Sequence, residues 1–327
     1  LGKEAICSKK ILLKIYLVEC GRHPNIELIT LAEVEEIQGE KGNFQVQVKK
    51  KPRYVQTDKC IACGLCAEKC PRKKIADEFN EGLGKRAAAY IYYGQTVPLK
   101  YAIDAQNCIY FQKGKCRACE KYCPAQAINF DEPERQINLQ VGAVIMSGGF
   151  SAFNPSGLDY LGYDQVPDVI TSLEYERLLS ASGPYQGHVV RLSDGREPRK
   201  IGWLQCVGSR NINKMDQPYC SNVCCMYAIK QALVTGEHVQ GEVNLDIFYM
   251  DIRTHGKDFE AAYNQAKDKG IGFIRSRIHS LLPGPENKGV SVCYADEEGK
   301  LSKEHYDLFV LSVGLSPVKD IQQLAQI

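Results

Sequence analysis

The chain of 327 residues carries 15 cysteines and a nearly balanced charge, with 41 Lys and Arg against 39 Asp and Glu. Its 44% hydrophobic and 24% charged residues are typical of a globular protein with about two domains. The net charge of +2 gives no reason to expect a nucleic-acid partner, and the sequence predicts no membrane span. Clustered cysteines in an odd number, without a signal peptide, argue against a secreted disulfide framework and favour metal or redox chemistry in the cytoplasm.

The first 57 residues predict two strands joined by a turn, because Phe44, Val46 and Val48 alternate with polar residues. A cysteine-dense stretch follows over residues 58–131. A further strand is predicted at Val141–Ser147, running into a pair of glycines.

The second half shows an α/β rhythm. Residues 199–278 predict strand, helix, strand, helix and strand, the first helix ending near Gly236. Strands separated by helices of this length imply a parallel sheet. The last part predicts a hairpin that leads into a buried strand at Leu308–Val313, closed by Gly314.

The first cysteine group has the spacing C-x2-C-x2-C-x3-C-P, formed by Cys60, Cys63, Cys66, Cys70 and Pro71. In bacterial ferredoxins this run gives three ligands to one [4Fe–4S] cluster and the fourth to a neighbouring cluster. Zinc is the alternative, since C-x2-C pairs also bind zinc.

The second group, Cys108, Cys116, Cys119 and Cys123, repeats the second half of this run, but seven residues fill its first gap. We predict two [4Fe–4S] clusters with exchanged fourth ligands. The first would use Cys60, Cys63, Cys66 and Cys123, and the second Cys70, Cys108, Cys116 and Cys119. If the inserted loop kept Cys108 away, the second cluster would be a three-iron species.

The third group is Cys206, Cys220, Cys224 and Cys225. Adjacent cysteines can ligate two irons of one cube, and a helix start would lower the thiol pKa values of Cys224 and Cys225. Spacing leaves three interpretations open: a cluster, buried reduced thiols or a redox-active disulfide.

The remaining cysteines, Cys7, Cys20 and Cys293, have no ligand spacing. Cys20 and Cys293 are predicted to be core thiols.

The motifs CIACGLCAEKCP, CIYFQKGKCRACEKYCPAQAINF and CVGSR with YCSNVCCMYAIKQA resemble the A subunit of heterodisulfide reductase, an iron–sulfur flavoprotein. The resemblance covers residues 21–317. It implies an α/β and α+β fold: a thioredoxin-reductase-like flavoprotein core with a parallel, Rossmann-like sheet, and an inserted ferredoxin domain with two [4Fe–4S] clusters. The expected domains are a partial flavin-binding domain at 1–57, the inserted ferredoxin domain at 58–131 and a return to the flavin domain at 132–150. A Rossmann-like domain with a third cluster is expected at 151–285, and the C-terminal strands of the core at 286–327.

The resemblance also implies that the third cysteine group holds a [4Fe–4S] cluster and that FAD is bound. The flavin contacts would be Gly148, Gly149 and Phe150 after one strand, and Gly314 and Leu315 after another, because a backbone without Cβ atoms lets a ligand come close. Lys230 would be the catalytic residue, a cation that stabilises reduced flavin. The alternative for Lys230 is an ordinary solvated helix lysine.

One family feature is missing: no G-x-G-x-x-G sequence, the usual FAD pyrophosphate site, occurs in the chain. We therefore expect a piece of a longer subunit or a shortened homologue, with retention of FAD in question. The α/β segment around Cys206 also lacks the nucleotide glycine pattern, so no nicotinamide is predicted there.

These features predict an oxidoreductase subunit that transfers electrons between FAD and [4Fe–4S] clusters, with bifurcation as an option, in methanogenesis. Its partners would be heterodisulfide-reducing subunits, a hydrogenase or dehydrogenase, and ferredoxin, with disulfide cleavage on another subunit. The alternative is a flavin-free iron–sulfur wire or scaffold.

Overall fold

A computed structural model describes residues 16–212 and 217–318 of the chain. The chain divides into two compact units, the first reaching Ser147 and the second beginning at Gly148. Cys7 lies outside the described residues.

The first unit consists of short strands and one-turn helices after a helical segment at residues 16–22. In chain order its elements are β1 (Ala32–Glu40), β2 (Asn43–Lys50), α1 (Leu65–Glu68), β3 (Ile75–Ala76), β4 (Lys85–Arg86), β5 (Ala89–Tyr90), β6 (Ala102–Ile103), α2 (Ile109–Lys113), α3 (Ala118–Lys121) and β7 (Arg135–Val141).

An antiparallel sheet in the order β1–β2–β7 flanks the cysteine-dense stretch in sequence. The alternation in β2 buries Val46 and Val48, which pair with Leu139 and Ile137 of β7. Gly42 adopts a φ of 91° in the turn between β1 and β2, a conformation that glycine adopts without steric cost. The predicted strand, turn and strand are confirmed.

The cysteine-dense stretch folds around its own small core. Its four short strands form two antiparallel pairs, β3 with β4 and β5 with β6. The buried members of the core are Val55, Cys60, Cys66, Ala89, Ile103, Cys119, Ala127 and Phe130. Three of them are cysteines of the predicted ligand sets, so the core of this stretch and its candidate sites use the same residues.

The second unit contains two larger sheets. In chain order its elements are β8 (Phe150–Ala152), β9 (Val169–Thr171), α4 (Ser172–Leu179), β10 (Lys200–Val207), α5 (Cys224–His238), β11 (Asn244–Tyr249), α6 (Phe259–Asp268), β12 (Gly272–Arg275), β13 (Ile278–Pro283), β14 (Val290–Ala295), β15 (Leu301–Tyr306), β16 (Leu308–Val313) and β17 (Leu315–Pro317).

Five strands form a parallel sheet in the order β12–β11–β10–β16–β9. All six residues of β16 are buried. On β10 the fully buried Trp203 donates its Nε1 hydrogen to Gln231 Oε1 on α5, at 3.2 Å. The α/β class and the parallel sheet predicted from the sequence are confirmed.

An antiparallel sheet of β13, β14 and β15 contributes to the core of the second unit. Phe248, Phe309 and Tyr306 are fully buried there, with ring centroids 5.6 to 5.9 Å apart. Gly202 on β10 leaves room for this packing, because a Cβ atom at that position would lie 2.3 Å from the Phe309 ring.

The predicted strand at Val141–Ser147 is wrong. Strand β7 covers Arg135–Val141 and ends where the prediction begins, and residues 142–149 are outside any strand. Ile145 is 89% exposed. An apolar run forms a strand only when a neighbouring strand offers hydrogen bonds, and no described strand pairs with this run.

Candidate iron–sulfur sites

The first cavity in the cysteine-dense stretch is lined by four cysteines from two separate runs. Cys60, Cys63 and Cys66 lie on the loop that leads into α1 and on α1 itself, and Cys123 follows α3. The backbone N–H of Ala127 donates to Cys123 Sγ at 3.3 Å. Burial raises the pKa of the Cys66 thiol to about 12.

The second cavity has the complementary set of cysteines: Cys70, Cys108, Cys116 and Cys119. The seven-residue insertion forms α2, which begins directly after Cys108 and leaves that cysteine in the cavity wall. Cys116 has a φ of 80°, a rare conformation for a residue with a Cβ atom. Burial raises the pKa of Cys119 to about 12 as well.

The two cavities thus exchange their fourth cysteines in the way the spacing predicts for two ferredoxin-type clusters. Four thiols around each cavity match the donor set of a four-iron cluster. That these cysteines bind iron stays a prediction.

The third cavity lies at the carboxyl end of β10 and the start of α5. The third cysteine group lines it: Cys206, Cys220, Cys224 and Cys225. Cys224 and Cys225 are the first two residues of α5, and Cys206 on β10 has a φ of 62°. The structure therefore brings all four cysteines of this group together.

Hydrogen bonds reach all four sulfur atoms of the third group. The backbone N–H groups of Asn222 and Arg253 donate to Cys220 Sγ and Cys225 Sγ, each at 3.4 Å. The Cys224 thiol donates to the carbonyl oxygen of Val313 at 3.6 Å. The Arg210 guanidinium lies 4.0 Å from Cys206 Sγ.

The predicted lowering of the thiol pKa values at the start of α5 is wrong. Burial raises the pKa of Cys224 to about 12 and raises that of Cys225 as well. Desolvation disfavours the thiolate more strongly here than the helix terminus favours it.

None of the cysteines in the described part of the chain forms a disulfide. No three or more His, Cys, Asp or Glu side chains among the described residues converge closely enough to hold a single metal ion. Cys20 is exposed and Cys293 is half-buried, so the prediction of a core thiol is wrong for Cys20.

Sequence patterns do not reveal Arg210, Asp251 and Arg253 as site residues, yet all three line the third cavity. Asp251 pairs with both guanidinium groups; its distance to Arg253 is 3.4 Å. A signal is present all the same: Asp251 and Arg253 follow β11, and the carboxyl ends of neighbouring parallel strands meet at one edge of a sheet.

The residues predicted to contact flavin lie at the start of β8 and at the start of β17. Phe150 on β8 pairs with Pro317 of β17, and Leu315 begins that strand opposite Ala152. Gly149, with a φ of 75°, has open space where a Cβ atom would stand, which fits a close ligand approach. Gly148 precedes it outside any strand.

Gly314 does not fit this role. A Cβ atom there would lie 2.2 Å from Ser209 Oγ and 2.8 Å from Ser221 Oγ, so the protein itself fills the space beside this glycine. Lys230 lies on α5 and forms an ion pair with Glu176, 2.6 Å from Nζ to Oε1.

Comparison with known proteins agrees with the cysteine geometry. Residues 53–73 match the 4Fe-4S binding domain family. The chain is 42% identical over 312 residues to the iron–sulfur A subunit of the CoB–CoM heterodisulfide reductase of Methanocaldococcus jannaschii, covering 95% of this chain and 46% of that protein. It is 45% identical over 303 residues to the second of the corresponding subunits in Methanopyrus kandleri, covering 92% and 45%.

Among solved structures, the thioredoxin reductase of Lactococcus lactis shares 14% identity and a TM-score of 0.34 over 71% of this chain and 65% of that chain. That of T. acidophilum shares 16% identity and a TM-score of 0.32 over 56% and 48%.

The chain therefore combines a segment of the 4Fe-4S binding domain family with an α/β unit. The resemblance seen in its motifs is confirmed: it is related to the iron–sulfur A subunit of heterodisulfide reductase along almost its whole length. It spans about half the length of the curated relatives it matches. In the described residues, no helix is long and apolar enough to cross a membrane.

Proposed function

We propose that the chain is an electron-transfer part of a heterodisulfide-reductase-type oxidoreductase and holds three [4Fe–4S] clusters. The observation that carries this proposal is that twelve free cysteines line three cavities, four to each. When bound, such clusters act as one-electron carriers, and their potentials depend on charge, hydrogen bonds to sulfur and solvent exposure.

The protein's own residues govern those three quantities at the third site. Three N–H donors reach its sulfur atoms, one each at Cys206, Cys220 and Cys225, and burial of Cys224 and Cys225 excludes water. Two arginines, Arg210 and Arg253, face one carboxylate, Asp251, so the surroundings are positive and favour the more negative, reduced form of a cluster.

FAD binding is a further part of the proposal, with Gly148, Gly149, Phe150 and Leu315 as backbone contacts and Lys230 as the cation near the ring. Gly149 is compatible with this role, because no described atom fills the space beside its backbone. Gly314 is left out because two serine hydroxyl groups occupy its open side.

The partners would be further redox subunits, a hydrogenase or dehydrogenase as donor, and ferredoxin as acceptor. Curated relatives are named as A subunits of an H(2):CoB-CoM heterodisulfide,ferredoxin reductase and of a Ferredoxin:CoB-CoM heterodisulfide reductase. We place the disulfide-cleaving site on another subunit.

Iron analysis of the anaerobically reconstituted chain tests the cluster count. We expect about twelve irons per chain, falling to about eight in Cys220→Ala. Cys293→Ala, which removes a cysteine outside the three cavities, is the matched control and should retain the wild-type count. A wild-type count near eight, unchanged by Cys220→Ala, would remove the third cluster from the proposal.

Incubation with FAD, followed by removal of free flavin, tests the flavin separately. Retained FAD supports the flavoprotein, and a lower flavin midpoint potential in Lys230→Gln supports the role of Lys230. Protein that retains no FAD and has a full iron count supports the alternative, a flavin-free iron–sulfur wire.

A further inference from the structure

A second, larger crevice lies next to the third cysteine group. It has a volume of about 110 Å³. It lies at the edge of the parallel sheet where β10 and β11 end, and the connection from β12 to β13 also lines it. Ligands of α/β proteins bind at such carboxyl edges. This volume is several times larger than the 10–15 Å³ that one water molecule needs.

The floor of this crevice is buried and its rim is exposed. Leu161, Phe248 and Ile278 contribute buried apolar surface. Tyr160, 48% exposed, and the exposed Arg277 stand at the rim. A small ligand can therefore enter from solvent and place an apolar portion inside.

The charged side chains that line the crevice are arginines. Arg277 and Arg210 line it, and no Asp or Glu is among its lining residues. Arg210 is already paired with Asp251, which lines the third cavity, so Arg277 is the arginine whose charge is open to a ligand. Arg277 makes no ion pair within the described residues, and its Nη2 lies 3.4 Å from Met250 Sδ, a weak acceptor. A guanidinium has five donors and matches carboxylate and phosphate groups in a bidentate manner.

Arg210 joins the crevice to the third cavity, because it lines both. The backbone at the end of β10 and in the following turn is strained: Cys206 and Arg210 have positive φ, 62° and 59°, although neither is glycine. Strain of this kind persists where surrounding contacts impose it and is common at functional sites.

We propose that this crevice binds a small organic anion whose carboxylate or phosphate group pairs with Arg277. The anion would lie beside Cys206. It would therefore disfavour reduction of the neighbouring cluster, and reduction would weaken binding by the same factor. The coupling rests on the proposed third cluster, whereas binding itself does not.

Calorimetric titration of the oxidised, reconstituted chain tests binding, with ADP as the phosphate probe and succinate as the carboxylate probe. We expect Arg277→Gln to weaken binding of whichever probe binds by about tenfold or more, because the variant loses the charge-assisted hydrogen bonds to the anion. Arg275→Gln is the matched control: Arg275 is also exposed, its Nε donates to the Met250 carbonyl oxygen, and it does not line the crevice.

Binding by either probe that depends on Arg277 but not on Arg275 supports the site and identifies the preferred anion. Absence of binding by both probes overturns it, as does binding that both variants weaken equally or that neither weakens. Iron content serves as the separate readout of the proposed function and should be the same in both variants. For the coupling, the bound probe should shift the midpoint potential of the third cluster to more negative values, and an unchanged potential overturns that part.

Discussion

A single guanidinium group determines much of the electrostatics at the third cysteine group. Arg210 lies 4.0 Å from Cys206 Sγ and pairs with Asp251. Burial raises the pKa of Cys206, while Arg210 acts in the opposite direction by favouring negative charge on this sulfur. The same charge would favour the reduced state of a bound cluster.

We therefore expect Arg210→Gln to lower the midpoint potential of the third cluster. A tenfold change in the preference for the reduced state corresponds to about 59 mV for a one-electron couple, and the shift should be of this order. Redox titration followed by EPR measures it. Arg253→Gln is the comparison and should give a smaller shift of the same sign, because it also removes a positive charge but keeps the bond from Arg253 to Cys225 Sγ, which comes from the backbone. An equal or larger shift in Arg253→Gln would contradict the role of Arg210.

At the scale of elements, repetitive patterns predict most of the fold. Period-two alternation locates β2, and the strand–helix rhythm locates β10 to β12 with α5 and α6. Patterns within one segment cannot show whether a partner strand exists, and the prediction for Val141–Ser147 is wrong for that reason. The role of Gly314 is equally hidden, because Ser209 and Ser221 approach it from distant sequence positions.

The junction between β16 and β17 allows a prediction about Gly314. Its N–H donates to the Val207 carbonyl oxygen at 2.7 Å, so the backbone cannot easily move away from Ser209 and Ser221. Gly314→Ala should destabilise the chain by about 1–3 kcal/mol through overpacking and reduce the iron bound by the third group.

Chemical denaturation and iron analysis measure both effects. Gly236→Ala on α5 is the control, since a Cβ atom there meets only Leu245 Cδ1, at 3.9 Å. Alanine favours a helix over glycine by about 1 kcal/mol, so the control should be neutral or stabilising. A Gly314→Ala variant as stable as Gly236→Ala would contradict the packing role.

At the scale of the molecule, the spacing of the two ferredoxin-type runs predicts which cysteines share a cavity. Local spacing is sufficient there because each run brings three sulfur atoms together within a few residues. The ion pairs around the third group are not predictable in this way, because they depend on how β10 and β11 lie side by side in the sheet. The position of Cys224 at a helix start does not predict its thiol pKa, because burial raises that pKa and burial depends on the packing of the whole unit.

The exchange of fourth cysteines can be tested by comparing four alanine variants. Cys123→Ala should lose the same EPR signal as Cys63→Ala, and Cys70→Ala the same signal as Cys116→Ala. These pairings follow from the residues that line each cavity. Loss of the same signal in Cys123→Ala and Cys116→Ala would mean that ligation follows sequence order instead.

The exchange has a mechanical consequence for the cysteine-dense stretch. A cluster bound by Cys66 and Cys123 would cross-link positions roughly 60 residues apart. A closed loop of this length raises the free energy of the unfolded chain by about 4 kcal/mol, as a disulfide of the same span would. The second cavity closes an overlapping loop from Cys70. Removal of iron would therefore open two overlapping loops, so the redox centres of this stretch and its resistance to unfolding depend on the same bonds.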